Sequence, residues 1–200
     1  MSASYQIRPY GPADYEGITR VCLLTAEAGG DATGLYSSDD LMPDIFARPY
    51  ATLEPELAFV VDDGEVSGYI LGTASTRDFA DRYTAEWLPA FAAKYEHVDP
   101  WTTQSEMITH LGFWPERMLL PEVDEYPAHF HIDVLPHLQA RGIGRELIGT
   151  FTEALRERGV PAVHLTMNPL NTGARAFYDR LGFHELPSST TESPRLGMRL

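Results

Sequence analysis

Two hundred residues with 44% hydrophobic content suit a single domain, 1–200, with a packed core. No apolar run nears the ~20 residues of a membrane span, Met1 to Tyr10 lacks the apolar stretch of a secretory leader, and the lone Cys22 excludes an internal disulfide; a cytoplasmic protein is expected. The net charge of −14 argues against nucleic acid and anionic membrane as partners.

Tyr5 to Arg8 reads as a first strand. Pro12 opens a helix to about Ala28, with Tyr15, Ile18, Val21, Cys22 and Leu24 at helical spacing. Cys22 sits among Val21, Leu23 and Leu24, which makes it a core thiol rather than a nucleophile. Residues 29–40, rich in Gly, Ser and Asp, read as a mobile loop, and Leu41 to Arg48 as a short helix. Leu57–Val61 and Val66–Ala74, joined through Asp62-Asp63-Gly64, make a hairpin.

Residues 76–126 form a helical insertion between the third and fourth strands. Phe79, Tyr83, Trp87, Phe91 and Tyr95 recur every four residues on one slowly drifting helix face, as a packing surface or, less commonly, a substrate lining. An exposed face there would mean a homodimer. Pro89 should kink or restart the helix. His129–Leu135 is a strand, Arg141–Arg158 a helix, Ala162–Thr166 a strand, and Asn171–Leu181 a helix stopped by Gly182. Phe183–Leu186 and Leu196–Leu200 close the chain as strands.

The strand ending at Leu135-Pro136 runs into Gln139-Ala140-Arg141-Gly142-Ile143-Gly144 and then a helix. Glycines let the backbone approach phosphate, and the helix N-terminus adds N–H groups and partial positive charge. A Walker loop needs Gly-Lys-Ser/Thr, but Lys94 is the only lysine; a dinucleotide fingerprint needs Gly or Ala where Leu147 stands. A later helix carries Asn171-Thr172-Gly173-Ala174-Arg175-Ala176-Phe177-Tyr178, followed by Leu181-Gly182-Phe183.

Together these two motifs, in this order, resemble the GNAT superfamily of N-acetyltransferases, whose hallmarks are Gln/Arg-x-x-Gly-x-Gly/Ala after a central strand and Asn-x-x-Ala-x-x-hydrophobic-Tyr-x-x-Leu-Gly-Phe on a later helix. Within it, Tyr126-Pro127-Ala128-His129-Phe130-His131-Ile132-Asp133-Val134 is similar to the acetyltransferase-like domain of O-GlcNAc hydrolases and its free-standing bacterial relatives. The resemblance implies an α/β fold: a mixed, twisted sheet of about seven strands flanked by helices. It implies acetyl-CoA as co-substrate, no metal, and transfer of acetyl to an amine by direct attack; the alternative is a non-catalytic acyl-CoA-binding or protein-interaction module.

It also implies that Gln139, Ala140, Arg141, Gly142, Ile143, Gly144 and Arg145 hold the pyrophosphate. Ile132 and Val134 would pair with the pantetheine arm across a splay between strands, and the Val134 N–H would also face the thioester oxygen. Asn171, Ala174 and Phe177 would line the cofactor, Asn171 also serving as a helix cap. Tyr178 would donate to the departing sulfur, and Asp133 would act as base. His129, His131 and Asp133 share one strand face, as a proton relay, a metal site or a hydrogen-bonded wall of the acceptor pocket.

Residues 1–138 hold 23 acids and 7 bases, a net −16, whereas 139–200 hold 6 acids and 8 bases, a net +2. An anionic cofactor on one side and a small cationic amine or basic peptide acceptor on the other would fit this split; an acidic surface kept for solubility fits it equally.

Overall fold

The computed structural model describes residues 4–169 and 171–200; the first three residues of the stretch read for a leader lie outside it. Seven strands form one mixed sheet: β1 (Gln6–Pro9), β2 (Ala58–Asp62), β3 (Val66–Thr73), β4 (Ala128–Val134), β5 (Ala162–Thr166), β6 (His184–Glu185) and β7 (Arg195–Arg199). Their order across the sheet is β1-β2-β3-β4-β5-β7-β6, and only β4 and β5 run parallel. Every residue of β3 is buried, because helices cover both faces of the sheet.

One face carries α1 (Tyr15–Thr25), α2 (Leu41–Phe46), α3 (Arg48–Leu53) and the insertion. There Ile18, Val21, Leu41, Tyr50, Tyr69 and Phe79 form the larger core. Two more helices, α7 (Ile143–Glu157) and α8 (Thr172–Arg180), pack on the other. Buried Ile143, Leu147, Ile148, Phe151 and Leu155 make one apolar stripe along α7, which explains why this stretch is helical and which way it faces.

The expected helix 41–48 is two helices broken at Ala47. Pro49 lacks an N–H, so it sits in the first turn of a new helix instead of extending the old one. The helix opened by Pro12 begins as a 3-10 turn and ends at Thr25, short of the expected Ala28, which has a left-handed φ of 49°. Loop 29–40 is tied down by Gly34 N–H to Asp39 and Ser37 N–H to Ser105.

In the insertion, α4 (Thr76–Arg82) passes through a π-helical turn (Tyr83–Trp87) into α5 (Leu88–Lys94), followed by α6 (Gln104–Phe113). The wider turn relieves the clash of the Pro89 ring with the preceding turn. Its extra residue per turn also counters the drift of a four-residue repeat. Phe79, Tyr83 and Phe91 are buried, and Trp87 Nε1 and Tyr95 Oη donate to the Asp44 carbonyl and carboxylate at 3.0 and 2.9 Å. The stripe therefore packs on its own chain, and the ground it offered for a homodimer falls away.

A Cβ at Gly72 would collide with the His129 carbonyl on β4 and with the Phe151 ring. Gly72→Ala is expected to cost about 1–3 kcal/mol of stability through overpacking at this two-sided contact. Urea unfolding measures it, and an unchanged midpoint would mean that the contact yields.

Candidate active site

Where β4 leaves β5, the sheet opens. On one side β4 keeps six register pairs with β3, from Thr73↔His129 to Gly68↔Val134. On the other it pairs with β5 only at Ala128↔Val163 and His129↔His164. The Leu135 N–H donates to Ser67 O on the β3 side, at 2.9 Å. Main-chain direction alternates along a strand, so the groups of Ile132 and Val134 face the gap toward β5. Gln139 Nε2 donates to the Val134 carbonyl at 2.8 Å, bracing the mouth of the gap.

Past Pro136 the chain makes a turn with left-handed φ at two places, Ala140 (59°) and Gly142 (87°). A left-handed alanine costs about 1–2 kcal/mol. Among the described residues, the N–H groups of Ala140, Gly142, Ile143 and Gly144 find no protein acceptor. Those of Gln139 and Arg145 donate to Pro136 O and Gly142 O, so these two residues contribute to the site through their side chains. The free donors border a cavity of about 330 Å³ whose lining includes Val134, Gly142, Gly144, Arg145, Phe177 and Arg180. Open space surrounds the Gly142 Cα, and a Cβ at Gly144 would press on Phe177 at 3.1 Å. Concave shape, unpaired donors, a helix N-terminus and two cations suit a diphosphate. Arg141 lies over the Tyr5 ring, 5.6 Å from its centre.

Asn171 caps α8, its Oδ1 accepting from the Ala174 N–H at 3.2 Å. Tyr178, on the same helix, is buried against Phe130 and Phe183. No hydrogen bond engages its hydroxyl among the described residues. Burial, and then the nearby Asp133 charge, push its pKa up, so the phenol stays neutral and able to donate.

The odd-numbered residues of β4 face the opposite side, toward α1 and α3. Thr76 Oγ1 donates to Pro127 O at 2.7 Å and therefore accepts from His129 Nδ1, also at 2.7 Å. His129 Nε2 then accepts from the Tyr50 hydroxyl at 2.7 Å, and the Tyr50 oxygen accepts from His131 Nε2 at 3.2 Å. Donor logic thus fixes both tautomers and leaves His131 Nδ1 as the open acceptor. Burial lowers both imidazoles, His131 to about 3, and both stay neutral. Of the readings offered for the trio, the hydrogen-bonded wall matches these contacts; no three potential ligands converge on a metal position among the described residues.

Asp133 behaves differently. Its Oδ2 accepts from Tyr69 Oη at 2.6 Å, and burial raises its carboxyl to about 7 while the Tyr69 and Thr25 hydroxyls pull it down. It can gain and lose a proton near neutrality, as a general base requires. Cys22, close by, is buried and its thiol pushed up, so it stays protonated. Sequence reasoning missed Arg180 in the cavity and the Tyr50 and Tyr69 hydroxyls. A cation nearly two turns beyond the Asn-x-x-Ala motif was the only available sign of Arg180; nothing local marks the tyrosines.

The acetyltransferase (GNAT) family model matches residues 23–183, and the chain belongs to that family. It is 26% identical over 192 residues to protein O-GlcNAcase of Rattus norvegicus; the match covers 92% of this chain but 20% of the rat protein, so the chain spans about a fifth of that relative's length. Over 56 residues it is 41% identical to the [ribosomal protein bS18]-alanine N-acetyltransferase of Salmonella typhimurium, covering 28% of this chain and 38% of that enzyme. The crystal structure of SsHAT superposes with a TM-score of 0.92 at 51% identity, over 98% of both chains. The family is one of acetyltransferases, and acetyl-CoA is the co-substrate that the family uses. No helix among the described residues is long and apolar enough to cross a membrane.

A carboxyl raised in the folded state, against ~3.9 unfolded, contributes most to stability below pH ~4, and that contribution is lost as pH rises through about 7. Asp133→Asn escapes this loss. Its stability relative to the native protein is expected to improve by about 2–4 kcal/mol between pH 4 and pH 8 in urea titrations. A pH-independent difference would mean an ordinary carboxyl.

Proposed function

We propose that this protein transfers the acetyl group of acetyl-CoA to an amine by direct attack, with no covalent enzyme intermediate. The observation that carries this reading is the gap between β4 and β5, which joins unpaired strand groups to the glycine turn. The turn at 140–144 holds the diphosphate, with Arg141, Arg145 and Arg180 adding charge. Ile132 and Val134 accept the pantetheine arm as a strand would, while Asn171, Ala174 and Phe177 line the α8 side. A cavity at the Val134 end and a closed strand pair at His129 direct the acyl end down β4.

The acceptor approaches from the odd-residue face. Asp133, as carboxylate, takes the proton that the amine must lose as its nitrogen bonds to the acyl carbon. The N–H of Ile132, the gap-facing group further from the diphosphate turn, rather than that of Val134 beside it, faces the oxygen on which charge builds. When the carbon–sulfur bond breaks, the neutral Tyr178 phenol hydrogen-bonds the departing sulfur. Its raised pKa favours hydrogen bonding over complete proton transfer to the thiolate.

Gly144→Leu drives a side chain into Phe177 and the cavity, and acetyl-CoA affinity measured by calorimetry should fall by about tenfold or more, equivalent to ~1.4 kcal/mol. Undiminished affinity would remove the diphosphate from this turn. Tyr178→Phe should lower kcat by about 10²-fold with cofactor affinity little changed; an equal rate makes Tyr178 a packing residue. In the native protein kcat/KM should climb through pH about 7 as Asp133 ionises, and this limb should vanish in Asp133→Asn. If it persists, the base lies elsewhere. Tight acetyl-CoA binding with no thiol release for any amine would return the binding-module reading.

A further inference from the structure

Arg117 stands in the 3-10 turn Pro115–Met118, ahead of β4. Its Nε donates to Leu111 O at 2.9 Å, and its Cζ lies 5.3 Å from the centre of the Phe46 ring. Among the described residues, neither Nη group has a hydrogen-bond or ion-pair partner. Arg195 Nε is the one side-chain N or O there that is fully buried without a partner, so the Nη groups of Arg117 reach accessible space. Burial lowers the pKa of Arg117, and the groups that act against it are the Tyr50 and Tyr83 phenols, not carboxylates. In a chain with 29 acids and 15 bases, a part-buried guanidinium without a counter-charge is out of keeping with its surroundings.

Its position is informative. The Phe46 ring that Arg117 covers also meets the His131 ring edge-on, with centres 5.5 Å apart. His131 and Asp133 follow one another on the same face of β4, about 7 Å apart along the strand. Arg117 therefore shares the acceptor side of the strand, across the sheet from the cavity at the α7 N-terminus. A planar fork of donors beside an aromatic ring matches a carboxylate bidentately.

We propose that Arg117 anchors a carboxylate carried by the acceptor, so that the amine offered to Asp133 belongs to an amino-acid-like zwitterion. The amine end rests on the acetyl-transfer reading; the carboxylate end does not. Calorimetry with the acetylated products needs no turnover: N-acetylglycine, N-acetyl-β-alanine, N-acetyl-γ-aminobutyrate and Nε-acetyllysine sample the spacing, each set against its carboxamide. At least one acid should bind about tenfold more tightly than its amide. Arg117→Met should abolish that preference, and Arg117→Lys, which keeps the charge but loses the fork, should retain part of it. The inference is overturned if no acid outbinds its amide in the native protein, or if the preference survives in Arg117→Met. Should the Met variant not fold, the acid–amide comparison in the native protein and the Lys variant decides. Free-thiol release with the unacetylated amino acids separates the two readings: no turnover beside an intact acid preference sinks acetyl transfer alone, and turnover indifferent to the carboxylate sinks the anchor alone.

Discussion

The site depends on an unmade set of hydrogen bonds in the middle of the sheet. Five register pairs commit β5 to β7, and six commit β4 to β3, but only two join β4 to β5. An unsatisfied buried strand group costs about 1–3 kcal/mol. The fold tolerates the opening because it leads into a cavity, where water or a ligand can reach the orphaned groups. A ligand that pairs with them recovers interactions the protein gave up, and this makes an extended amide-bearing arm a better fit than a compact molecule.

Because side chains and main-chain groups alternate along a strand, β4 serves two sides at once. Its even residues give Ile132 and Val134 main-chain groups to the gap. Its odd residues line a face that passes from sealed to titratable within five residues, His129 to Asp133. His129 is wholly satisfied by Tyr50 and Thr76, His131 keeps one nitrogen open, and Asp133 carries the carboxyl raised to about 7. With two neutral imidazoles ahead of it, Asp133 is the one of these three groups that titrates near neutrality.

What the sequence made legible was local or periodic. Ile143, Leu147, Ile148, Phe151 and Leu155 mark the α7 stripe, and Gly142 marks the left-handed entry to it. The two spaced motifs carried the family. Contacts made across long stretches of chain were not legible: Tyr50 meets His129 seventy-nine residues away, and Tyr69 meets Asp133 sixty-four away. These depend on the register of β3 with β4 and on how α3 packs, and α3 itself was hidden because Pro49 reads as an end when it is a beginning. Arg117 was invisible for the same reason. Its meaning lies in the absence of a partner, which no spacing encodes.

The acidity of residues 1–138 is less of a field than its sum implies. Asp40 and Asp44 are neutralised by Arg48 and Lys94 at 2.6–2.9 Å, and Asp14 and Asp62 share Arg8. These pairs staple α2 to the insertion and the first strand to the hairpin, so much of the charge is structural. Apart from the buried Asp133 and Glu54, most of what remains is exposed and screened within about 8 Å at physiological salt. Over that range the acidic surface attracts amines of every kind without choosing among them. Choice has to come from groups at contact distance, and on and beside the odd-residue face of β4 the candidates are Asp133, the open nitrogen of His131 and the unpaired guanidinium of Arg117. On the proposed reading, a general acidic field with one part-buried cation beside the odd-residue face of β4 would pass a zwitterion in a single orientation, its amine toward Asp133 and its carboxylate toward Arg117.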